Sequence, residues 1–452
     1  MRSTLLLLLP LVAALQAAGE GAPRVPPNIV LIFADDLGWQ ETGFSGSDFL
    51  ETPHLDRLAR EGMVFRQAYA SAGNCQPSRA CMFSGQYTPR HGVYAVNSTD
   101  RGPRALMRLV PVPNRPNVPP ATVMLGESLK AAGYATGLFG KAHMRSSEDG
   151  KSEHAGFDVI EHSYPGLNSK NPQDPKAIFS ITKAACAFIE ANRGQPFFAY
   201  IAHYAVHAEL QARAQTLTRF KGKPSGRLGH DNPGLAACLH ELDTGIGTVL
   251  EKLRTLGLER NTLVIFTSDN GGTHVSNEPL RGKKGGYYEG GIRVPMIVRW
   301  PGVVAAGQTC DVPVVNLDFY PTFLAVARAP APSSPLDGES LLPLLHQTGA
   351  LRRDAVFWHF PGYLDGPVPR GRDPVFRTRP VSVIRKGDWK LHLFHEEWLL
   401  DGKRGRIATN RSVELYHITD DPGERTDLAS SHPSQRDELL DELTSWIKSV
   451  PA

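Results

Sequence analysis

Short, wholly apolar runs alternate along this chain with longer amphipathic stretches. Asn28–Ala34 ("NIVLIFA") is continuous and β-branched, as a strand buried on both faces of a parallel sheet should be. It ends on two carboxylates, Asp35 and Asp36. "TPHLDRLAREG" then sets Leu55, Leu58 and Ala59 on one helical face, with Thr52 as cap, Pro53 at the first helical position and Gly62 as stop. The alternation repeats. "TVMLGESLKAAG", "KAIFSITKAACAFIEA" and "LAACLHELDTGIGTVLEKLRTLG" read as helices; "YATGLFGK", "PFFAYIAHYAVH", "NTLVIFTSDNGG" and "VPMIVRW" read as strands. Strands separated by helices predict βαβ units around a parallel sheet.

The style changes after an Ala/Pro/Ser-rich stretch at 329–337, "APAPSSPLD", which reads as an exposed connection. "PVSVIRKGDWKLHLF" and "SVELYHIT" look like antiparallel strands, and "SQRDELLDELTSWIKSV" like a terminal amphipathic helix. The expected class is α/β: a large, mostly parallel or mixed sheet sandwiched by helices over 25–345, then a smaller α+β domain over 350–452 with an antiparallel sheet and a terminal helix.

Composition narrows the setting. The 452 residues are 41% hydrophobic and 21% charged, with a formal net charge of +3, too small to argue for nucleic acid or a membrane surface. "MRSTLLLLLPLVAALQAAGEGA" has the basic, apolar and small-residue layout of a secretory signal peptide, expected over 1–19. No other segment is long and apolar enough to span a bilayer. The expectation is a secreted or periplasmic protein, lysosomal or extracellular if the source is eukaryotic. The five cysteines (75, 81, 186, 238, 310) are an odd count, so at least one is free, modified or paired with another chain.

Ligands of open parallel sheets bind beyond the carboxyl ends of the strands. Those ends carry Asp35 and Asp36; Lys141 and His143; His207; and Asp269 and Asn270. A lone Asp after a strand is usually a turn residue, but four ends delivering carboxylates, an amide, a lysine and histidines are a convergent set. Asp35, Asp36, Asp269 and Asn270 form a hard oxygen set suited to Ca²⁺, with Mg²⁺ second, rather than zinc. In "NCQPSRACMFSGQY" Pro77 suits the first turn of a helix, so Cys75 falls at a helix N-terminus with Arg79 one turn on. That is an anion-binding position. From these residues alone Cys75 could be half of a disulfide, a buried thiol or a nucleophile.

C-x-P-S-R followed by a small apolar stretch and Gly resembles the signature of the type I sulfatases of the alkaline-phosphatase superfamily. The segments "NIVLIFADDLGW", "TPHLDRLAREGMVF", "CQPSRACMFSGQYTPRHGVY", "GKAH", "VIFTSDNGG", "NEPLRGKKGGYYEGGIRVP", "GDWKL" and "ELYHITDDPGE" follow in family order across nearly the whole mature chain. The resemblance implies an alkaline-phosphatase-like fold and hydrolysis of a sulfate monoester, the natural ester expected on a sugar. It implies that Cys75 is oxidised to Cα-formylglycine by a formylglycine-generating or anaerobic sulfatase-maturating enzyme, and that one Ca²⁺ is held by Asp35, Asp36, Asp269 and Asn270 beside the modified Cys75. It further implies that Arg79 stabilises the formylglycine hydrate, and that Lys141, His143, His207 and Lys284 surround the sulfate. One hydroxyl of that hydrate would attack sulfur, with Asp269 helping to remove its proton; His207 would protonate the leaving alcohol; the other hydroxyl would let the sulfate depart.

The sequence departs from the usual pattern at Gln76, Ser84, Ala142, Met144, Glu209 and Lys283; none of these removes a catalytic group, and Ala142 and Glu209 bear on the shape of the substrate pocket. His91, His274 and His359 are further candidates for contact with substrate. So are Arg370, Arg372, Arg377 and Arg379 in "WHFPGYLDGPVPRGRDPVFRTRP", a segment that equally fits a solvated basic loop. Two other functions fit the same residues: a phosphonate or phosphodiester hydrolase of the superfamily, and a catalytically silent glycan-binding relative.

Overall fold

The computed structural model describes residues 25–143, 156–161, 171–275 and 277–450. The predicted signal peptide, 1–19, lies outside them, as does Met144. An eight-stranded sheet runs in the order Gln308–Cys310, Met63–Phe65, Met296–Arg299, Thr262–Ser268, Asn28–Ala34, Phe197–Ala202, Ala135–Gly140, Val159–Glu161. The five strands from Thr262–Ser268 to Val159–Glu161 are parallel. Met296–Arg299, expected among the parallel strands, instead pairs antiparallel with both neighbours. An apolar run dictates burial and extension but carries no information about direction.

Both faces of the sheet are covered. In Asn28–Ala34 the side chains of Ile29, Leu31 and Phe33 join one apolar cluster with Tyr200, Phe319 and Phe323. Val30, Ile32 and Ala34 join the other, with Leu239, Leu242 and Ile246 of the long helix Pro233–Thr255. Two-sided burial is why the run is apolar without alternation.

The helix Pro53–Glu61 starts at Thr52 and stops at Gly62 as expected, but Thr52 does not cap it with its side chain. Its hydroxyl donates to Asp56 Oδ1 (2.9 Å) and accepts from the Gly43 amide (2.8 Å), tying the helix to the loop after the first strand.

The C-terminal part is a four-stranded antiparallel sheet, Ala355–Phe360, Val381–Lys386, Trp389–Phe394 and Val413–His417. The helix Pro433–Ser449 buries Leu439, Leu440 and Leu443 against it. Its other side meets the large sheet's loops through Trp358, whose indole donates to the Ala70 carbonyl (2.8 Å). Lys390, fully buried, pairs there with Glu289 (2.9 Å) and Glu424 (3.0 Å). The stretch read as an exposed connection is only partly so. Asp337 accepts from the Tyr87 amide (2.9 Å) and pairs with Arg90 (2.8 Å), clamping the chain beyond Cys75. Its Pro and Ser content marked irregular backbone, which need not be free backbone. Among the described residues no helix is long and apolar enough to cross a membrane.

Candidate active site

Register assembles the site. Ala34 pairs with Ser268, so Asp35 and Asp36 leave the sheet beside Asp269 and Asn270. Phe33 pairs with Ala202 and Gly140 with Ala202, which brings Lys141 to the same edge. Gly140 has φ +94 and lets the chain turn so that the Lys141 amide donates to the Ala202 carbonyl (2.7 Å). Asp36 itself is left-handed, φ +65, a conformation Asp tolerates better than most residues. Its amide donates to Asp269 Oδ1 (3.1 Å), and the next amide, of Leu37, donates to Ser268 Oγ (2.9 Å).

Cys75 opens a buried ten-residue helix, Cys75–Ser84, as the sequence predicts, and the helix ends at Gly85 in the left-handed region. Among the described residues the Cys75 sulfur and one oxygen each of Asp35 and Asp269 lie within 4.8 Å of one another. Arg79, fully buried, donates from Nε (2.9 Å) and Nη2 (2.6 Å) to Asp269 Oδ2. Its Nη1 bonds the Lys141 carbonyl (2.7 Å) and the Tyr200 hydroxyl (2.8 Å).

Each remaining carboxylate has its own lysine. Lys141 Nζ reaches Asp35 Oδ2 at 2.6 Å, and Lys284 Nζ reaches Asp36 Oδ1 at 2.6 Å. Burial is the largest single influence and would raise both carboxyls, but the surrounding cations together, Lys141 first for Asp35 and Lys284 first for Asp36, overcome it, and both sit below the usual range. Asn270 donates to Asp36 Oδ1 (2.8 Å). Among the described residues Asp35 Oδ1 and Asn270 Oδ1 are left buried without a hydrogen-bond partner.

His207 is partly exposed, its Nε2 3.7 Å from Asp36 Oδ2 and its Nδ1 2.7 Å from the Ala208 carbonyl. His143 is held near the cluster with Nδ1 buried and, among the described residues, without a hydrogen-bond partner; burial, with Lys141 and Arg79 nearby, pushes its imidazole down to about 3. His274 is anchored through Nε2 to the Val206 carbonyl (2.8 Å) and feels the charge of Asp36.

Two histidines offered as substrate contacts stand elsewhere. His91 is fully buried, its Nε2 3.3 Å from Cys81 Sγ and its Nδ1 accepting from the Val93 amide (3.1 Å), so it is a satisfied interior group. His359 lies in the C-terminal sheet, where Ser382 Oγ joins its Nδ1 (2.7 Å) to His395 Nε2 (2.8 Å). All five cysteines are free.

Sequence reasoning missed four supports. Tyr200 and Ser268 look like strand residues and nothing more. Asn277 spreads its amide over the carbonyls of Gly272, Gly282 and Gly290, fastening the loop that carries Lys284. Gly73 lets that loop come close: a Cβ there would stand 2.6 Å from the Gly286 carbonyl oxygen, and the Gly285 amide donates to the Gly73 carbonyl (2.7 Å). "SAGNC" and "RGKKGG" held the glycine signal, but not which loop meets which.

The chain matches the Sulfatase family model over residues 27–329, and a model for the C-terminal region of N-sulphoglucosamine sulphohydrolase over 283–450. The chain belongs to the sulfatase family. Type I sulfatase relatives cover nearly its whole length. It is 32% identical to a sulfatase of Formosa agariphila (98% of this chain, 92% of the relative) and 32% identical to human arylsulfatase A (94% and 88%). It is 30% identical to N-acetylgalactosamine-6-sulfatase of Rattus norvegicus (96% and 87%). Among solved structures it resembles Ps i-CgsB, with TM-score 0.75 and 27% identity over 93% of this chain and 92% of that one; that protein has also been crystallised with k-i-k-neocarrahexaose. This sulfatase is therefore an enzyme that hydrolyses sulfate esters, on an alkaline-phosphatase-like fold.

Proposed function

We propose that this sulfatase removes a sulfate monoester from a sulfated carbohydrate, using a formylglycine made from Cys75 and one calcium ion held by Asp35, Asp36, Asp269 and Asn270. The observation that carries this reading is a pair of buried oxygens, Asp35 Oδ1 and Asn270 Oδ1, that have no hydrogen-bond partner among the described residues, with Asp35 gathered beside Cys75 and Asp269. Buried polar atoms are rarely left unsatisfied, and two oxygens among three carboxylates are what a hard cation requires. Calcium there would supply fixed positive charge for the oxygens of the ester. Formylglycine, as its hydrate, would supply the attacking oxygen and a hydroxyl through which the sulfated residue releases its sulfate.

The protein's own groups handle charge and protons. The carboxylates of Asp35, Asp36 and Asp269 are matched by Lys141, Lys284 and Arg79, so a dication leaves the site positive overall, which favours an anionic ester. With a metal to compensate Asp35 and Asp36, Lys141 and Lys284 would be free to donate to sulfate oxygens. Arg79 holds Asp269 and keeps the helix that starts at Cys75 aimed at the sheet edge. His207, on the open side, protonates the departing alcohol, and His143 orients the group made from Cys75. A carbohydrate ester is supported by relatives that act on or bind sugars, N-acetylgalactosamine-6-sulfatase and Ps i-CgsB. The leader sequence favours an exported enzyme matured by a dedicated modifying enzyme.

The test combines mass and turnover. The peptide containing Cys75 is weighed for conversion to the aldehyde; aryl sulfate, aryl phosphodiester and aryl phosphonate are compared on one preparation; and sulfated mono- and disaccharides are screened. Aryl sulfate is expected to be preferred, and Lys141→Ala and His207→Ala to lose turnover. Unmodified Cys75 in a fully active preparation would sink the mechanism.

A further inference from the structure

We propose that Arg377 reads a second anionic group of the substrate, a sulfate ester or carboxylate near the scissile sulfate, and so makes the enzyme selective for multiply anionic saccharides. This rests on the sulfated-carbohydrate reading above and names a determinant within it.

The basic segment 358–380 is mostly spent on its own structure. Arg372 pairs with Glu414 (2.5 Å) and Glu397 (3.1 Å). Arg379 pairs with Asp373 (2.5 Å) and Glu396 (2.8 Å). Arg370 bonds the carbonyls of Pro279 (3.2 Å) and Gly423 (2.6 Å) and lies 3.9 Å from Glu278. None of these is free to bind a ligand anion without losing a partner.

Arg377 differs. Its Nε donates to the Gly366 carbonyl (3.0 Å) and its Nη1 to the Lys284 carbonyl (3.3 Å). Among the described residues no carboxylate lies within ion-pair distance of it, and Asp365 is taken by Arg101 (2.6 Å). The guanidinium is thus fixed in direction by two backbone oxygens while no carboxylate among the described residues pairs with it directly and Nη2 keeps its hydrogens. Its stem covers Gly285, where a Cβ would stand 2.5 Å from Arg377 Cδ. That places it on the loop that delivers Lys284 to Asp36, at the edge of the site.

Partial burial and Arg101 make the cation less favourable than in water, and Asp365 and Asp36 are near enough to act on it in the opposite sense without outweighing them. A pre-aimed, unpaired guanidinium among like charges suits a visiting oxyanion, which it can bind with two parallel hydrogen bonds. Arg377 would therefore act on the part of the substrate flanking the ester that is cleaved.

The experiment uses the full enzyme with Cys75 conversion confirmed by mass. Inorganic sulfate, heparin tetrasaccharide, chondroitin sulfate tetrasaccharide and k-i-k-neocarrahexaose are compared as inhibitors of 4-nitrophenyl sulfate turnover and, independently of turnover, by calorimetry. Arg377→Gln keeps a hydrogen-bond donor near Gly366 but removes the charge; Arg377→Lys keeps the charge. For the tightest saccharide, the ratio of its inhibition constant to that of inorganic sulfate should rise about tenfold or more in Arg377→Gln, the effect of roughly one charge-assisted contact. Arg377→Lys should recover part of it. An unchanged ratio, a parallel weakening of sulfate and saccharide, or a wild type that binds no saccharide better than sulfate each overturns the proposal. Failure of the parent reading has a different signature: converted Cys75 with no turnover of any sulfate ester, while the calorimetric comparison still stands.

Discussion

Lys141 Nζ lies 2.6 Å from Asp35 Oδ2, and neither side chain is more than marginally exposed. The residue expected to grip sulfate thus compensates a carboxylate expected to grip metal. Removing one partner of such a buried pair leaves an isolated charge, at a cost of about 3–5 kcal/mol. Lys141→Ala should therefore lower stability by about that much in chelator and by clearly less in calcium, because the ion then compensates Asp35. Chemical denaturation with and without calcium measures both, and wild-type stability should itself rise by about 2.7 kcal/mol at calcium near 100 times its dissociation constant. Equal destabilisation in the two conditions would show that no ion reaches Asp35.

Arg79 joins Asp269, Tyr200 and the Lys141 carbonyl with one planar group. Lysine cannot reach all three, so Arg79→Lys is not conservative here. Misplacing the helix start by about 1 Å should cost about 100-fold in kcat. Turnover corrected for Cys75 conversion, read by mass, checks this; a loss under threefold would mean that Arg79 is only packing.

The C-terminal sheet is expected to be fastened to the large sheet by charge as well as by apolar contact. Lys390 is fully buried between Glu289 and Glu424. Lys390→Met leaves Glu289 with Arg293 at 3.5 Å and Glu424 with His392 at 3.0 Å as their only ion-pair partners among the described residues, and should destabilise the protein by about 3 kcal/mol. Glu424→Gln made in the same background should recover part of that loss. Urea unfolding followed by tryptophan fluorescence, with Trp358 at the junction, would detect it.

Acid should weaken the fold through buried neutral histidines. Burial pushes His359 down to about 3, and His395 down to about 4. Unfolded, both take up protons near 6.5. The folded values are depressed, so the stability they contribute is present above pH 6.5 and is lost as pH falls from 6.5 toward 4, by up to about 1.4 kcal/mol per pH unit for each group. His395→Gln should flatten the dependence across that window; an unaltered slope would assign acid sensitivity to other groups.

Much of the site was legible because chemistry and local structure coincide in the chain. Asp35 and Asp36 directly follow an apolar run, Asp269 and Asn270 follow another, and Cys75 precedes a proline at a helix start. Period and composition suffice for such features. His91 was misread for the same reason: beside a catalytic motif in sequence, it turns inward to Cys81 and the Val93 amide. The basic segment 358–380 shows the limit most sharply. Four arginines read alike in sequence, yet three lie within ion-pair distance of a carboxylate, and among the described residues Arg377 has none, held only by the Gly366 and Lys284 carbonyls.

By itself, then, the sequence determined the α/β alternation, the family, and the residue types gathered at the strand ends. Those follow from local periodicity and from a motif order that needs no coordinates. The tertiary structure alone decided the antiparallel turn of Met296–Arg299, the pairing of Lys141 with Asp35 and Lys284 with Asp36, and the close approach of Gly73 to Gly286. Each depends on which strands lie side by side and which loops touch across hundreds of residues. Register and packing set those distances, and no local pattern encodes them.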